Sequence, residues 1–150
     1  MTTTILEFMS VDHDRLDEIF TGFKKLKEDD LDEARTLFVA FKAGLLRHID
    51  WEEDILFPIF EEGTGMRDAG PTAVMRMEHG HIKNFLEMIG EKVLAENLEG
   101  LEEAEIGLLE VLGSHNQKEE NILYPAIDNL TDEQEKEKAI EKMTAGMTER

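Results

Sequence analysis

HIDWEEDILFP, residues 48–58, is the stretch that decides the fold of this chain. It places a histidine and two glutamates in a run whose apolar residues have the spacing of a helix. A second stretch, HNQKEENILYP at residues 115–125, repeats the arrangement. In both, a glutamate follows the histidine by four residues, so the two side chains lie on the same face of a helix. The repetition suggests that these polar groups have a function inside the protein.

Apolar residues outside these two stretches also follow helical spacing, and none of the chain alternates as a strand would. The sequence therefore predicts an all-α protein. Residues 1–130 are expected to form an up-down-up-down antiparallel four-helix bundle. The first helix should begin at a Thr4–Glu7 capping box and the third at Pro71. The second and fourth helices are expected over residues 31–60 and 101–130.

Residues 131–150 form a polar tail with few apolar contacts, and we expect a short fifth helix there, loosely docked or frayed. A second capping box is predicted at Thr131 and Gln134. The inner faces of the second and fourth helices are expected to carry Ile55 and Ile122 after the glutamates.

Two further histidines complete an internal repeat. DHDRLDEIF contains His13, and EHGHIKNFL contains His79 about 66 residues later; the two His-x-x-x-Glu stretches are separated by about 67 residues. This offset predicts two helical hairpins related by a pseudo-two-fold axis. Each hairpin would carry one lone histidine and one histidine–glutamate pair.

The heights of these residues along their helices predict one shared layer. His13 and His79 lie about 12 to 13 Å from the starts of their helices, and His48 and His115 about 18 to 20 Å from the ends of theirs. In an up-down-up-down bundle these positions converge. The candidate metal ligands are His13, His48, Glu52, His79, His115 and Glu119.

Two inward glutamates need compensating positive charge, because an unpaired buried carboxylate costs several kcal/mol. No lysine or arginine lies on the predicted inner faces, so a metal centre is the favoured interpretation. Six nitrogen and oxygen donors exceed the need of one tetrahedral zinc and suit two octahedral transition metals bridged by carboxylates. The alternative is a metal-free interaction bundle whose charges are neutralised by protons or arginine.

The composition restricts the possible partners. A formal net charge of -19 opposes binding to nucleic acid and to anionic membranes. The sequence begins without a signal peptide pattern, and no apolar run is long enough to span a bilayer. The absence of cysteine excludes disulfides and thiolate ligands and is compatible with a reducing compartment, so we expect a cytoplasmic protein.

The four predicted helices carry, in order, a lone His, a His-x-x-x-Glu motif, a lone His and a second His-x-x-x-Glu motif. The pattern EExILxP follows each paired histidine. This arrangement resembles the hemerythrin-like (HHE) cation-binding proteins. The resemblance implies two non-heme iron ions, bridged by Glu52 and Glu119 and by an oxo or hydroxo group. His13 and His48 would bind one iron, and His79 and His115 the other.

The resemblance implies a protein that binds a small diatomic ligand, O2 or NO, at an open iron position, for sensing, scavenging or transport. The alternative is a di-iron redox enzyme that reduces NO or peroxide, or that donates iron for iron-sulfur cluster repair. Ferritin-like iron oxidation fits less well, because that bundle uses Glu-x-x-His motifs. Whether the protein is an enzyme stays open.

One departure from the oxygen carriers bears on these functions. The carriers place a second histidine on the third helix, where this chain has Lys83, so each iron would have two histidines and an open or water-filled position. His81 lies about 200° around the helix from His79 and cannot join it.

Residues beside the predicted ligands receive weaker predictions. Glu53 and Glu120 point about 140° away from the histidines that precede them and are poor ligand candidates. Asp12 and Glu78 precede the lone histidines, and we expect them to be solvated, with a role in orienting ligands as the alternative. Tyr124, and likewise Trp51, is expected to cap the end of the bundle rather than to act on the metals.

Overall fold

The computed structural model describes residues 3–148, and this part of the chain is helical with no strand. The all-α prediction is therefore confirmed. No helix in this range is both long enough and apolar enough to cross a membrane. The helices are α1 (Ile5–Leu26), α2 (Leu31–Trp51), α3 (Phe57–Thr64), α4 (Pro71–Leu94), α5 (Leu98–Lys118), α6 (Tyr124–Leu130) and α7 (Glu133–Thr148), with π-helical turns at Glu52–Leu56 and Glu119–Leu123.

The start of α1 follows the predicted capping chemistry. The Thr4 hydroxyl accepts a hydrogen bond from the Glu7 backbone N–H, and the Glu7 carboxylate accepts one from the Thr4 backbone N–H. Pro71 is the first residue of α4, also as predicted. Local chemistry thus sets these two helix starts.

The fourth predicted helix begins earlier than expected. Asn97 caps α5 by accepting a hydrogen bond from the Gly100 backbone N–H, so the helix starts at Leu98 rather than near Leu101. The capping box predicted for the tail is likewise wrong by one residue. Asp132 and Glu135 exchange the capping hydrogen bonds there.

The C-terminal helix α7 packs onto the rest of the protein. Ala139 and Met143 are buried and join an apolar cluster that includes Ile5 of α1 and Ile127 of α6. The prediction of loose contacts fits only the far end, where Met147 is exposed. Residues 149 and 150 of the predicted tail lie outside the described residues.

Each π-helical turn inserts one residue into a long helix. The backbone N–H of Phe57 donates to the carbonyl of Glu52, five residues back, and that of Tyr124 donates to the carbonyl of Glu119. A proline follows each of these donors in the sequence. Because proline has no N–H, it removes one hydrogen bond from the ladder and makes the wider turn easier to accommodate.

The extra residue rotates the following segment around the helix axis. Leu56 and Leu123 are consequently buried. Ile122, which a continuous helix would turn inward, is 60% exposed, and Ile55 is only half-buried. The predicted inward position of Ile122 is therefore wrong, because it rests on an uninterrupted 3.6-residue periodicity that the π-helical turn breaks.

Two apolar clusters lie on either side of a polar layer. On α1, Met9 belongs to one cluster and Leu16 to the other, with His13 between them. The same order recurs on α4, where His79 separates Met75 from Ile82. The polar layer is thus enclosed by apolar side chains above and below.

The main helix contacts agree with the internal repeat of the sequence. α1 packs along α2, and α4 packs along α5. These two pairs meet through contacts of α2 with α4, α1 with α6 and α3 with α6. Each pair brings its lone histidine together with its histidine–glutamate motif.

Substitution of Leu123 and its neighbour tests the π-helical register. Leu123→Ala should lower the free energy of unfolding by about 2 to 5 kcal/mol, because it opens a cavity in a closed core. Ile122→Ala should change it by no more than about 0.5 kcal/mol, since that side chain is largely in solvent. Urea denaturation measures both values. A larger loss for Ile122→Ala would show that the helix is continuous here.

Candidate metal centre

The structure brings all six predicted side chains into the polar layer. They come from α1, α4, the last turns of α2 and α5, and the first residues of the two π-helical turns. None is more than 3% exposed. The six are His13, His48, Glu52, His79, His115 and Glu119.

The carboxylate of Glu52 lies between histidines of the two helix pairs. Its Oε1 is 3.0 Å from Nε2 of His79, and its Oε2 is 3.7 Å from Nε2 of His48. Each oxygen therefore faces a different imidazole. This is the disposition of a carboxylate that bridges two positive centres.

Glu119 occupies the equivalent place from the other helix pair. Its Oε1 is 3.3 Å from Nε2 of His13, and its Oε2 is 3.2 Å from Nε2 of His115. Nitrogen and oxygen atoms of Glu52, His79, His115 and Glu119 lie within 4.8 Å of one another, and so do those of His13, His48 and Glu119. The buried cluster could hold metal at both groupings.

A second carboxylate holds the outer nitrogen of each histidine. Nδ1 then carries the proton that the carboxylate accepts, and Nε2 is left to point inward with its lone pair. The four Nδ1–carboxylate distances are 2.8 Å for His13–Glu120, 2.8 Å for His48–Asp12, 2.7 Å for His79–Glu53 and 2.9 Å for His115–Glu78.

These outer carboxylates change the sequence interpretation. Asp12 and Glu78 are not simply solvated, because each holds a histidine of the neighbouring helix in its own pair. Glu53 and Glu120 do point away from their own histidines, but each holds the lone histidine of the other helix pair. Asp12 and Glu78, and likewise Glu53 and Glu120, occupy equivalent positions of the internal repeat, and this signal could have identified them from the sequence. Their partners could not be assigned without the tertiary structure.

Tyr124 enters the middle of the cluster, contrary to the expectation that it caps the bundle. Its hydroxyl oxygen is 2.6 Å from Oε2 of Glu52 and 3.0 Å from Oε1 of Glu119. Nε2 of His48 is 3.2 Å away and Nε2 of His13 is 3.4 Å away. The π-helical turn, which the sequence analysis did not predict, gives the ring this direction.

In the absence of metal, protons provide the positive charge of the site. Burial lowers the pKa of His13 and His115, but hydrogen bonds and charge from Glu119 outweigh it and raise both values to about 9. Burial raises the pKa of Glu119, yet its hydrogen bonds with Glu52 and the two histidines bring it well below the usual range. These groups therefore form a charged hydrogen-bonded set.

Glu52, His48 and Tyr124 are biased toward their neutral forms. Burial and the adjacent Glu119 charge raise the pKa of Glu52. Burial lowers the pKa of His48. The pKa of Tyr124 is raised by burial and by the negative charge of Glu119 and Glu52 beside it. A divalent or trivalent cation would displace protons from this site, because metal ligands bind in their deprotonated forms.

The donor set fits iron or a similar first-row transition metal. Oε2 of Glu119 is buried and, although Nε2 of His115 lies 3.2 Å away, it has no hydrogen bond of good geometry, so this ligand oxygen is left incompletely satisfied. The cluster contains imidazole and carboxylate donors, which suit octahedral iron and manganese as well as zinc. Sulfur donors from cysteine are absent from the sequence.

A cavity of about 450 Å³ reaches the ring of His13 from between α1 and α5. Its walls include Asp17 and Glu120 as well as the aromatic rings of Phe20 and Phe41. The cavity thus gives the polar layer an opening toward solvent beside His13.

The family comparison agrees with this geometry. Residues 4–127 match the family model described as the hemerythrin HHE cation binding domain. The chain belongs to this family. As a hemerythrin-like domain it is a metal-binding domain, and the family implies that the metal is iron.

Two curated relatives resemble parts of this hemerythrin-like chain. Over 45 residues it is 42% identical to "Iron-sulfur cluster repair protein YtfE" of Cronobacter sakazakii, a match that covers 30% of this chain and 20% of the relative. Over 54 residues it is 43% identical to the protein of the same name from Musicola paradisiaca, covering 36% of this chain and 23% of the relative. The chain therefore covers less than a quarter of either relative in these matches. No solved structure matches it significantly.

The raised histidine pKa values predict how the metal-free protein responds to pH. His13 and His115 have folded-state pKa values of about 9, above the ordinary value of 6.5, so their contribution to stability is complete below about pH 6.5. It is lost as the pH rises through about 9. Urea denaturation of chelator-treated protein should therefore show a falling free energy of unfolding over this interval.

The exposed His81 supplies a control for the pH experiment, since it lies outside the cluster. His81→Ala should show the same fall as the unsubstituted chain, whereas His13→Ala should show a smaller one. A free energy of unfolding that is flat or rises between pH 6.5 and 9 would contradict the proposed protonation of the metal-free site.

Proposed function

We propose that this protein is a non-heme di-iron protein that binds O2 or NO at an open iron position. The observation that supports it best is the convergence of four buried histidine Nε2 atoms on two carboxylates, each of which faces a histidine of both helix pairs. The proposed ligands are His13, His48, Glu52, His79, His115 and Glu119.

The six ligands divide into two sets that share the carboxylates. In our proposal one iron binds His13 and His48, and the other binds His79 and His115. Glu52 and Glu119 would each bridge the two irons, with one carboxylate oxygen bound to each iron. With four of these donors each, octahedral ions would retain positions for an external ligand. The irons would supply those positions and one-electron redox chemistry.

The remaining residues of the proposed site have supporting roles. The outer carboxylates fix the imidazoles with Nε2 inward, which reduces the reorganisation required when metal binds. Apolar clusters on either side restrict water, a condition that favours neutral diatomic molecules over ionic ligands. The cavity beside His13 is the proposed approach for such a molecule.

A second candidate function is redox turnover at the same centre, or donation of its iron for iron-sulfur cluster repair. The names of the two curated relatives favour it. These relatives are much longer than the matched segments, so their activity comes to this chain only as a proposal. NO or peroxide reduction would need an external electron donor.

The finer architecture is part of the same proposal. Residues 1–130 would form an up-down-up-down antiparallel four-helix bundle that carries the irons, and residues 131–150 a C-terminal helical tail. The contacts of α1 with α2 and of α4 with α5 support two helical hairpins. A cytoplasmic location, and the absence of nucleic-acid and membrane partners, stay predictions from the sequence.

Metal analysis tests the proposed centre. Protein purified in air should contain about two irons per chain, because two sets of nitrogen and oxygen donors are available. Glu119→Ala should retain no more than about one iron, since it removes an oxygen that faces each set. Glu110→Ala makes the same change at an exposed position of α5 and should retain both irons. Elemental analysis measures the content.

Zinc alone, or no metal, in the unsubstituted chain would contradict the di-iron centre and favour a metal-free interaction bundle. Equal iron content in Glu119→Ala and Glu110→Ala would contradict the bridging assignment.

Gas addition distinguishes the two candidate functions. Anaerobically reduced, iron-loaded protein should change its visible absorption when O2 or NO is added. Reversal when the gas is removed would support binding, whereas many turnovers with added reductant would support a redox enzyme. Transfer of iron to a cluster-depleted acceptor protein would support iron donation. No spectral response to either gas would contradict the binding proposal.

A further inference from the structure

The site has a nearly symmetric shell around an asymmetric centre. The internal repeat relates Tyr124 to Phe57, since each lies nine residues after the histidine of its motif and directly follows its π-helical turn. Both side chains are fully buried. The Phe57 ring stacks on His79, with centroids 5.6 Å apart and planes 9° apart. One half of the site therefore has a phenol oxygen that the other half lacks.

The position of the phenol oxygen is that of a ligand atom. Two ligands bound at right angles to one metal, at about 2.1 Å each, are separated by about 3 Å. The Tyr124 oxygen is 2.6 to 3.4 Å from four candidate donor atoms, namely Glu52 Oε2, Glu119 Oε1, His48 Nε2 and His13 Nε2. These four belong to the iron that His13 and His48 would bind, since Glu52 Oε2 faces His48 and Glu119 Oε1 faces His13.

Hydrogen bonding satisfies this arrangement only when a second proton lies on Glu52 or Glu119. A tyrosine hydroxyl carries one proton, so it can donate fully to only one carboxylate at a time. Both Glu52 and Glu119 place an oxygen within 3.0 Å of it. A cation at the centre of these oxygens and nitrogens would satisfy them together.

We infer that Tyr124 is a seventh protein ligand, through its phenol oxygen, to the iron bound by His13 and His48. This inference rests on the proposed di-iron function. On binding ferric iron the phenol oxygen would release its proton to the solvent, as other metal ligands do. The iron bound by His79 and His115 faces Phe57 and receives no such ligand.

The two irons are consequently unequal. The iron with Tyr124 would have five protein donors and its neighbour four, before any oxo or hydroxo bridge between them is counted. An anionic phenolate stabilises the ferric state of the iron that it binds. The asymmetry arises from one oxygen atom that distinguishes tyrosine from phenylalanine.

Spectroscopy of iron-loaded protein tests this ligand without an activity assay. Phenolate bound to ferric iron gives a visible charge-transfer band and resonance-enhanced ring vibrations. Tyr124 is the only tyrosine in the sequence, so a phenolate band would come from this residue. We expect the band in the unsubstituted chain and its complete loss in Tyr124→Phe, which removes one oxygen and keeps the ring. Iron content is measured on the same samples.

The double substitution Phe57→Tyr with Tyr124→Phe offers a gain-of-signal control. It moves the single phenol to the equivalent place beside His79 and should restore a phenolate band. Mössbauer spectra should resolve two unlike irons in the unsubstituted chain, and more similar irons in Tyr124→Phe.

The outcomes separate this inference from the proposed function. Two irons per chain without a phenolate band would overturn the Tyr124 ligand and leave the di-iron proposal in place. A chain that binds no iron would overturn both. A band that persists in Tyr124→Phe would also overturn the inference, since no phenol remains in that variant.

Discussion

The burial of two carboxylates in the apolar interior is the constraint on which the rest of this structure depends. Glu52 and Glu119 are completely inaccessible to solvent, and an uncompensated charge at either position would cost several kcal/mol. His13 and His115 provide the compensation as imidazolium groups when no metal is present, and all four histidines would act as fellow ligands when it is. Stability and metal binding therefore depend on the same atoms, and each would respond to a change in the other.

The helices meet this constraint by departing from regular geometry where the glutamates lie. Glu52 and Glu119 each begin a π-helical turn, a feature frequently found at functional sites. Each glutamate stays on the face of its histidine because the helix is regular up to that residue, and the wider turn then rotates the aromatic residue that follows toward the interior. The change in hydrogen bonding thus positions the ring of Tyr124 or Phe57. The prolines that follow help to explain why the turn occurs at these places.

The site combines a shared plan with a feature particular to this chain. Four histidines, two shared carboxylates and four outer carboxylates are repeated across the two helix pairs, in keeping with membership of the hemerythrin family. The pairs also depend on each other, because Glu53 and Glu120 each hold a histidine of the opposite pair. Tyr124 breaks the repeat at its centre. A phenol on one side and a phenyl ring on the other give two otherwise similar metal positions different surroundings.

The sequence by itself determined the helical class, several helix starts and the six histidines and glutamates that meet in the polar layer. It could do so because helix periodicity and the cost of burying a charged group act over a few residues and are legible in the pattern. Tertiary structure decided the rest. The π-helical turn after Glu119 places Leu123 in the core and leaves Ile122 exposed. Packing between helices pairs the outer carboxylates with histidines that are distant in the chain. The place of Tyr124 depended on both, because a side chain reaches the middle of a site only when its helix turns and its neighbours leave room.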